Sequence, residues 1–296
     1  MSFRLRKNKP LQREVLRVAR NELEDALKEV LTAGEQSRNT AVHEARKHLK
    51  KLRALIRLLR PVTGRAFSKR ENAVLRKAAQ RMSSIRDAHV CVQTIDKIIA
   101  RSRTKRPSAA LTRVRDAMVA RLGQALDQAE KDDWEKKAAA DLEKALCRLS
   151  DWPLKRLTPN SLRGGLKTAC KKARRALAAA RRERTDQNLH DLRKAAKNLW
   201  YDLCLLAGDR PPAIKALTKR MDELGEKLGD DHDLAMLIAA RADNPLPDPT
   251  DWEALAAAIA PRRQRLKRAA LRCAAKALVR KPGGFADFVI DYWRKA

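Results

Sequence analysis

The sequence predicts an all-α protein, and three observations carry that prediction. Ala, Leu, Arg, Lys and Glu dominate the composition, whereas aromatic residues make up only 4% of the 296 residues. Apolar residues of the stretch 41–60 recur at the helical period and form one stripe. The stretch 188–207 repeats this stripe in register, and no segment shows a convincing strand alternation. The two apolar stripes consist of Val42, Ala45, Leu49, Leu52, Ile56 and Leu59, and of Leu189, Leu192, Ala196, Leu199, Leu203 and Leu206.

Helix-ending residues divide the first half into five predicted helices. Pro10 precedes the first helix and Gly34 ends it. Thr40 is a candidate cap for the second helix, which stops before Pro61. Residues 101–108 are rich in Arg, Lys and Ser and predict a basic loop. The predicted helices span 11–33, 41–60, 65–82, 85–101 and 109–149, the last with a break at 131–133.

The segment 151–160 contains two prolines and predicts the boundary between two halves. Asp186 is a candidate cap for the second copy of the repeated helix, and Pro211 and Pro212 open the next one. That helix is expected to end near Leu228, followed by another from about Asp231. The predicted helices span 161–182, 187–207, 211–228, 231–243 and 251–280, followed by a short C-terminal piece.

The internal repeat predicts two similar halves, residues 1–150 and residues 151–296. Each half is expected to form an antiparallel bundle of about four helices, with additional long helices. Neither half is expected to be stable without the other, because its helices are strongly amphipathic.

A row of basic residues lies beside each apolar stripe, rotated by about 100° around the helix. The first row holds His43, Arg46, Lys50, Arg53 and Arg57, and the second holds His190, Arg193 and Lys197, with Lys194 beside them. The first row keeps a single sign over about 20 Å of helix. Like charges at this spacing destabilise an isolated helix. Two copies of such a row therefore predict a bound anion.

The charge of the whole chain leads to the same prediction. Its 67 Lys and Arg residues exceed its 36 Asp and Glu residues, for a net charge of +31. Such a surplus repels itself unless a polyanion is bound, and solubility alone needs far less. Candidate partners are nucleic acid, an acidic membrane surface or an inorganic polyanion. No apolar run has the length of a membrane-spanning helix and no signal peptide opens the chain, so a soluble cytoplasmic protein is expected. The five cysteines are dispersed and are expected to be reduced and buried.

Three sequence elements together resemble the CHAD family, the conserved-histidine α-helical domains. They are the pattern His-x-x-Arg-x-x-x-Lys-Lys-Leu-Arg at 43–53, its copy from His190, and the later pairs Arg86-Asp87 and His232-Asp233. The resemblance implies two four-helix bundles related by pseudo-twofold symmetry, with a basic surface between them that binds inorganic polyphosphate. Carried over position by position, the family's basic residues fall on His43, Arg46, Lys50, Lys51, Arg53, His190, Arg193 and Lys197.

The second copy departs from this pattern, because Asn198, Trp200 and Cys204 stand where the first copy has Lys51, Arg53 and Arg57. Basic residues of the preceding helix are predicted to compensate, and the first helix offers residues at the same spacing. These additional candidates are Lys167, Lys171 and Arg174, and Arg13, Arg17 and Arg20.

The expected function is non-enzymatic binding of polyphosphate, and that ligand implies an association with polyphosphate granules. No Ser or Cys nucleophile with a base can be argued from spacing, and the Glu-x-Glu-x-Lys signature of triphosphate-tunnel enzymes is absent from the sequence. No cofactor is predicted. A metal site is not predicted either, because His43 and His48 do not share a helix face. Asp87 and Asp233 are expected to brace an Arg or His rather than act as bases. The alternatives are a helical nucleic-acid-binding protein, and a phosphate hydrolase or a regulatory partner of one.

Overall fold

The computed structural model describes residues 3–6, 8–34, 37–101, 108–206 and 212–295. Within these ranges the chain forms eleven α-helices, two short 3₁₀ turns and no β-strand, which confirms the predicted all-α class. The helices are α1 (Leu11–Leu31), α2 (Arg38–Leu58), α3 (Arg60–Arg81), α4 (Ser83–Arg101), α5 (Ala109–Lys131), α6 (Trp134–Cys147), α7 (Pro159–Arg182), α8 (Asp186–Leu206), α9 (Pro212–Ala239), α10 (Thr250–Ala277) and α11 (Pro282–Lys295).

Most helix ends fall within a few residues of their predicted positions. The break predicted at 131–133 is confirmed, since Asp133 has a left-handed backbone conformation (φ 49°) between α5 and α6. Two cap predictions are wrong. Thr40 lies inside α2, which begins after Ser37, and the side chain of Thr185 rather than Asp186 accepts the bond from the Asn188 amide. Most of the predicted basic loop at 101–108, together with Pro211, lies outside the described residues.

The predicted break between Leu228 and Asp231 is wrong, because α9 continues through it. Glycine in a helix interior costs about 1 kcal/mol relative to alanine. Packing against α8 and α10 on both sides outweighs that cost at Gly225 and Gly229. The first half is different at the equivalent place, where Met82 separates α3 from α4.

The repeated helices α2 and α8 each contain 21 residues and pack against one another. Every residue of the two predicted apolar stripes is buried, which confirms that each stripe follows the helical period. Helix α4 packs against α9 in the same part of the molecule. The two histidine helices and the two helices with the Asp pairs therefore meet across the predicted boundary between the halves.

The described buried residues form two hydrophobic cores, and both cross that boundary. Helices α4, α5, α9 and α10 surround the smaller core, with Ile95, Val114, Leu237 and Trp252 among its members. The larger core contains residues of the other helices of both halves, and also of α9 and α10. The prediction that each half forms its own four-helix bundle is therefore not confirmed.

The segment 151–160 packs on the protein instead of linking two separate bodies. Trp152, Leu154 and Leu157 are buried, and the Trp152 ring lies edge-on against Phe67 with centroids 5.5 Å apart. Its prolines thus redirect the chain alongside the larger core.

Among the described residues, no helix has the length and apolar character needed to cross a membrane. All five cysteines are free thiols. Cys91 and Cys170 are buried as predicted, but Cys147 is exposed at the end of α6.

Candidate functional site

Four basic side chains from three helices form what we call the basic cluster: Arg46 and Lys50 of α2, Arg86 of α4 and Arg193 of α8. Their proximity is indicated by the pKa of Lys50, on which the charges of the other three act. Burial lowers the pKa of Lys50 from 10.5 to about 8, and the charges of Arg46, Arg193, Arg86 and Lys197 lower it further in that order. Residues from both copies of the repeat therefore act on one ammonium group.

The basic cluster lacks counter-ions. Within the part of the chain that the structure describes, none of its four members has a carboxylate within the 4 Å of an ion pair, although many other bases do. Arg46 donates through Nη1 to the carbonyl oxygen of Ala79 at 2.7 Å. The Nε atoms of Arg46 and Arg193 are buried and find no acceptor among the described residues. Buried donors without partners are costly, which is the pattern expected where a ligand supplies the acceptors.

Asp87 and Asp233 are two carboxylates whose charges act on the basic cluster. Burial raises the pKa of Asp87, and the charges of Arg46, Lys50 and Arg86 oppose that rise. Burial likewise raises the pKa of Asp233, opposed by Arg193 and Arg86. Each carboxylate thus interacts electrostatically with the cluster, but neither forms a direct ion pair with it in the described structure. Their predicted bracing role stays a prediction.

Three histidines, His43, His190 and His232, lie near the basic cluster. The rings of His190 and His232 are 4.5 Å apart, and the Nδ1 atom of His190 is buried without a partner among the described residues. Burial and then Arg193 lower the pKa of His232 to about 4. Burial and then Arg86 also lower the pKa of His43, which lies 3.9 Å from Glu44 and is 46% exposed. These histidines are therefore predominantly neutral at pH 7.

The basic row of α2 continues beyond the cluster through Arg53 and Arg57. Burial, then Arg76 and Arg46, lower the pKa of Arg53, whose Nε atom has no acceptor among the described residues. Arg57 has a different environment, because its Nε atom donates to Asn198 Oδ1 at 2.5 Å. Asn198 in turn donates to Asp202 at 3.2 Å. Arg53 therefore extends the unpaired surface, whereas Arg57 joins α2 to α8.

Asn198 departs from the family pattern, and its contacts give a physical reason. The carboxyl group of Asp202 is completely buried, and burial raises its pKa well above the ordinary range while Arg57 opposes the rise. An amide at position 198 can accept from Arg57 and donate to Asp202 at once, which a lysine cannot do. The departure thus replaces a free charge with a contact between the two copies.

The other basic residues of the two motifs are engaged by carboxylates. Lys51 lies about 140° around α2 from Arg46 and contacts Glu22 of α1 at 3.1 Å. Lys194 pairs with Asp191 at 2.7 Å. Lys197 lies 3.2 Å from Asp222 and 4.1 Å from the centre of the Trp200 ring, and it crosses α9 at Gly225.

The candidates on α7 lie on the side of that helix that faces α10 and α11. Arg174 donates to the carbonyl oxygens that follow the end of α10, including that of Val279 at 3.3 Å. Lys167 is exposed near Asp287 of α11, and Lys171 is exposed one turn further along. None of the three is among the charges that act on Lys50, so the structure does not bring them to the basic cluster.

The candidates on α1 are also separate from the basic cluster. Arg17 is held by Glu14 at 2.7 Å and by the carbonyl oxygen of Arg4, also at 2.7 Å. Arg20 lies 3.9 Å from Glu24 and is 61% exposed, and Arg13 is exposed. Helix α1 packs on the side of α2 that carries Lys51, which is remote from the row containing Arg46.

Sequence reasoning missed Arg86, Arg76 and His232 as site residues. The repeat did pair Arg86-Asp87 with His232-Asp233, but helical spacing alone could not show which of these side chains would face α2 and α8. That information lies in the contact of α4 with α9 across the two halves. No group of three or more His, Cys, Asp or Glu residues suited to a metal ion occurs in the described ranges.

One of the comparisons with known proteins finds a match. No curated protein matches the chain. The family model for the CHAD domain matches residues 14–242, which span α1 to α9 and therefore every member of the basic cluster. Helices α10 and α11 lie beyond the match. With most of its length matched by this one model, the chain belongs to the CHAD family.

Proposed function

We propose that the protein binds inorganic polyphosphate in a groove between α2 and α4 on one side and α8 and α9 on the other. The observation that carries the proposal is the basic cluster, in which cations from both copies lie together without carboxylate partners in the described structure. Arginine offers a planar fork for two phosphate oxygens, and lysine offers a mobile point charge. The family resemblance implies the same ligand.

Binding in this proposal is static and needs no catalytic step. Successive phosphate units would contact Arg46, Lys50, Arg86 and Arg193, and longer chains would reach Arg53 and Arg76. Each additional contact is made within an existing complex, so affinity should rise with chain length. Asp87 and Asp233 would limit the accumulated repulsion before the ligand arrives.

Nucleic acid is the second candidate, because the same cations could hold a sugar–phosphate backbone. The environment of the tryptophans favours polyphosphate. Single-stranded nucleic acids are bound by stacking bases on accessible aromatic rings. Here Trp134, Trp152, Trp252 and Trp293 are buried, and Lys197 covers Trp200. A regulatory partner of a phosphate-processing enzyme remains compatible with polyphosphate binding and is the third candidate.

Competition between ligands tests this proposal. Labelled long-chain polyphosphate bound to the protein is challenged with unlabelled polyphosphate or with duplex DNA of equal phosphate concentration at physiological salt. We expect polyphosphate to displace the label at far lower concentration. Equal displacement by DNA would move the assignment to nucleic acid. Release of inorganic phosphate in the presence of divalent metal would show an enzyme.

Two matched variants locate the site. The first changes Arg46, Lys50, Arg86 and Arg193 to Gln, and the second changes four exposed bases elsewhere to Gln: Lys144, Arg175, Lys219 and Arg268. Both lose the same net charge. The slope of log K against log salt should flatten by about 3 in the first variant if single-strand behaviour applies to polyphosphate. Equal losses in both variants would mean that general charge, and not the cluster, binds the ligand.

A further inference from the structure

Lys50 has a combination of properties that no other lysine described above shares. Its side chain is exposed to solvent, yet protein surrounds it on most sides. It forms no hydrogen bond or ion pair with any residue in the described ranges. Lysines elsewhere on the two motif helices are held, Lys47 by Glu44 at 2.8 Å and Lys51 by Glu22 at 3.1 Å. The amine of Lys50 is therefore accessible and unrestrained.

Lys50 lies one turn after Arg46 on α2, which packs against α4 and α8, and nearly all the charged groups that act on Lys50 from neighbouring helices are basic. One acidic side chain lies among them, and it forms no ion pair with Lys50. The groups are Arg46 of α2, Arg86 and Asp87 of α4, Arg193 and Lys197 of α8, and His232 of α9. Such a ring of cations attracts small phosphorylated anions to the amine.

The same surroundings favour the neutral amine, which is the nucleophilic form. Burial and the neighbouring cations lower the pKa of Lys50 to about 8. About half of the Lys50 side chains are then neutral at pH 8, against roughly 0.4% for a lysine with an ordinary pKa. A weaker base is also a weaker nucleophile, by about tenfold here by analogy with thiols. The two effects together predict that the Lys50 amine reacts as a nucleophile about tenfold faster than an ordinary lysine.

We propose that Lys50 is a site of direct acylation by acyl phosphates, small metabolites that carry an activated acyl group on phosphate. The cationic ring would hold the phosphate end of the donor. The Lys50 nitrogen then attacks the acyl carbon, the bond from that carbon to the bridging oxygen breaks, and inorganic phosphate leaves with the proton from nitrogen. The products are an amide on Lys50 and hydrogen phosphate, so atoms and charge balance without an oxidant or cofactor.

Acylation would remove one positive charge from the basic cluster and place an uncharged group between Arg46 and Arg193. It would therefore weaken polyanion binding. The inference rests on the proposed function only in assuming that this cluster attracts phosphate groups. Bound polyphosphate would in turn cover Lys50 and slow its acylation.

The experiment treats the full chain with acetyl phosphate at pH 8 and follows the acetylation of each lysine over time by peptide mass spectrometry. Lys47 is the matched control, because it lies on the same helix but is held by Glu44. We expect Lys50 to react about tenfold faster than Lys47. Equal rates at Lys50 and Lys47 would overturn the proposal.

Two further arms give independent readouts. The rate at Lys50 should rise with pH around a midpoint near 8, and Arg193→Gln should slow it, because both donor attraction and the low pKa depend on that charge. A rate at Lys50 unchanged in Arg193→Gln would refute the role of the cluster. The variant Lys50→Arg, which keeps the charge but cannot form the amide, should bind polyphosphate equally well before and after treatment.

The failure of this inference can be distinguished from that of the proposed function. If polyphosphate binds in titration but Lys50 reacts no faster than Lys47, the acylation proposal is wrong and the proposed function stands. If Lys50 reacts selectively but polyphosphate neither binds nor protects it, the proposed function is wrong and the acylation proposal stands.

Discussion

Replacing Lys50 by Met should stabilise the protein at neutral pH in the absence of a ligand. The folded environment disfavours the charged ammonium group, because burial and four cations lower its pKa from 10.5 to about 8. Each tenfold change in a proton equilibrium corresponds to about 1.4 kcal/mol, so the full penalty is about 3 kcal/mol. Lys50 is exposed to solvent, which screens the interaction. We therefore expect a gain of about 1–2 kcal/mol in the free energy of unfolding at pH 7.

The gain should depend on pH in a defined way. The pKa of Lys50 is lower in the folded protein than in the unfolded chain, so the unfolded state binds more protons between pH 8 and pH 10.5. Wild-type stability from this group then rises with pH across that window. The advantage of Lys50→Met is complete below pH 8 and disappears above about pH 10.5.

Urea unfolding of wild type, Lys50→Met and Lys47→Met at pH 7 and pH 10.5 measures this effect. Lys47 is paired with Glu44 on the surface, so its replacement should change stability by no more than about 0.5 kcal/mol. A Lys50→Met protein that is less stable than wild type at pH 7 would refute the reasoning. So would a gain of the same size at both pH values, which would indicate better apolar packing instead of relieved repulsion.

Two other sites give predictions that the same unfolding assay can check. Asn198→Ala should destabilise the protein by about 2 kcal/mol, because the buried Asp202 loses its donor and Arg57 keeps only a long hydrogen bond to Asn72, at 3.4 Å. Asp202→Asn should be neutral or stabilising at pH 7, since burial raises the pKa of that carboxyl and disfavours its charge; a loss above 2 kcal/mol would show that the charge is needed. Gly165→Ala should destabilise strongly, because its new Cβ would lie 2.0 Å from the Leu58 carbonyl oxygen. Gly225→Ala should keep the fold, because its Cβ would meet only the end of the flexible Lys197 side chain, at 2.7 Å. Equal destabilisation by both glycine substitutions would contradict the distinction between a backbone contact and a side-chain contact.

Features that depend on neighbouring residues along one helix could be predicted from the sequence. The stripe containing Val42 and Leu49 is buried because an apolar row at the helical period can face only one direction. Arg46 and Arg193 could be recognised as equivalent positions because the same period applies to both copies of the repeat. The break at Asp133 could be anticipated because several acidic and basic residues interrupt the apolar pattern there.

Features that depend on packing between helices could not be predicted. Lys51 stands in the motif beside Lys50, but a rotation of 100° per residue turns it toward Glu22 of α1. Arg57 continues the basic row, yet it hydrogen-bonds to Asn198. The helix end expected near Leu228 does not occur, because Gly225 and Gly229 accommodate Lys197 and Arg193 crossing an unbroken α9. Each of these outcomes is decided by a side chain on another element.

The two copies of the repeat contribute unequally to the basic cluster, and their contacts explain why. The first half supplies Arg46, Lys50 and Arg86, all without a carboxylate partner in the described structure. From the second half, only Arg193 contributes to the basic cluster without a carboxylate partner in the described structure. Lys197 is paired with Asp222, and Asn198 carries no charge and links Arg57 to Asp202. A fold with unpaired cations on both sides would repel itself more strongly at the contact of α2 with α8. Loss of charge from the second copy lowers that repulsion, and the Asn198 contact adds a bond across the same interface. Helix α8 thus stabilises the contact between α2 and α8, whereas α2 carries most of the unpaired cations.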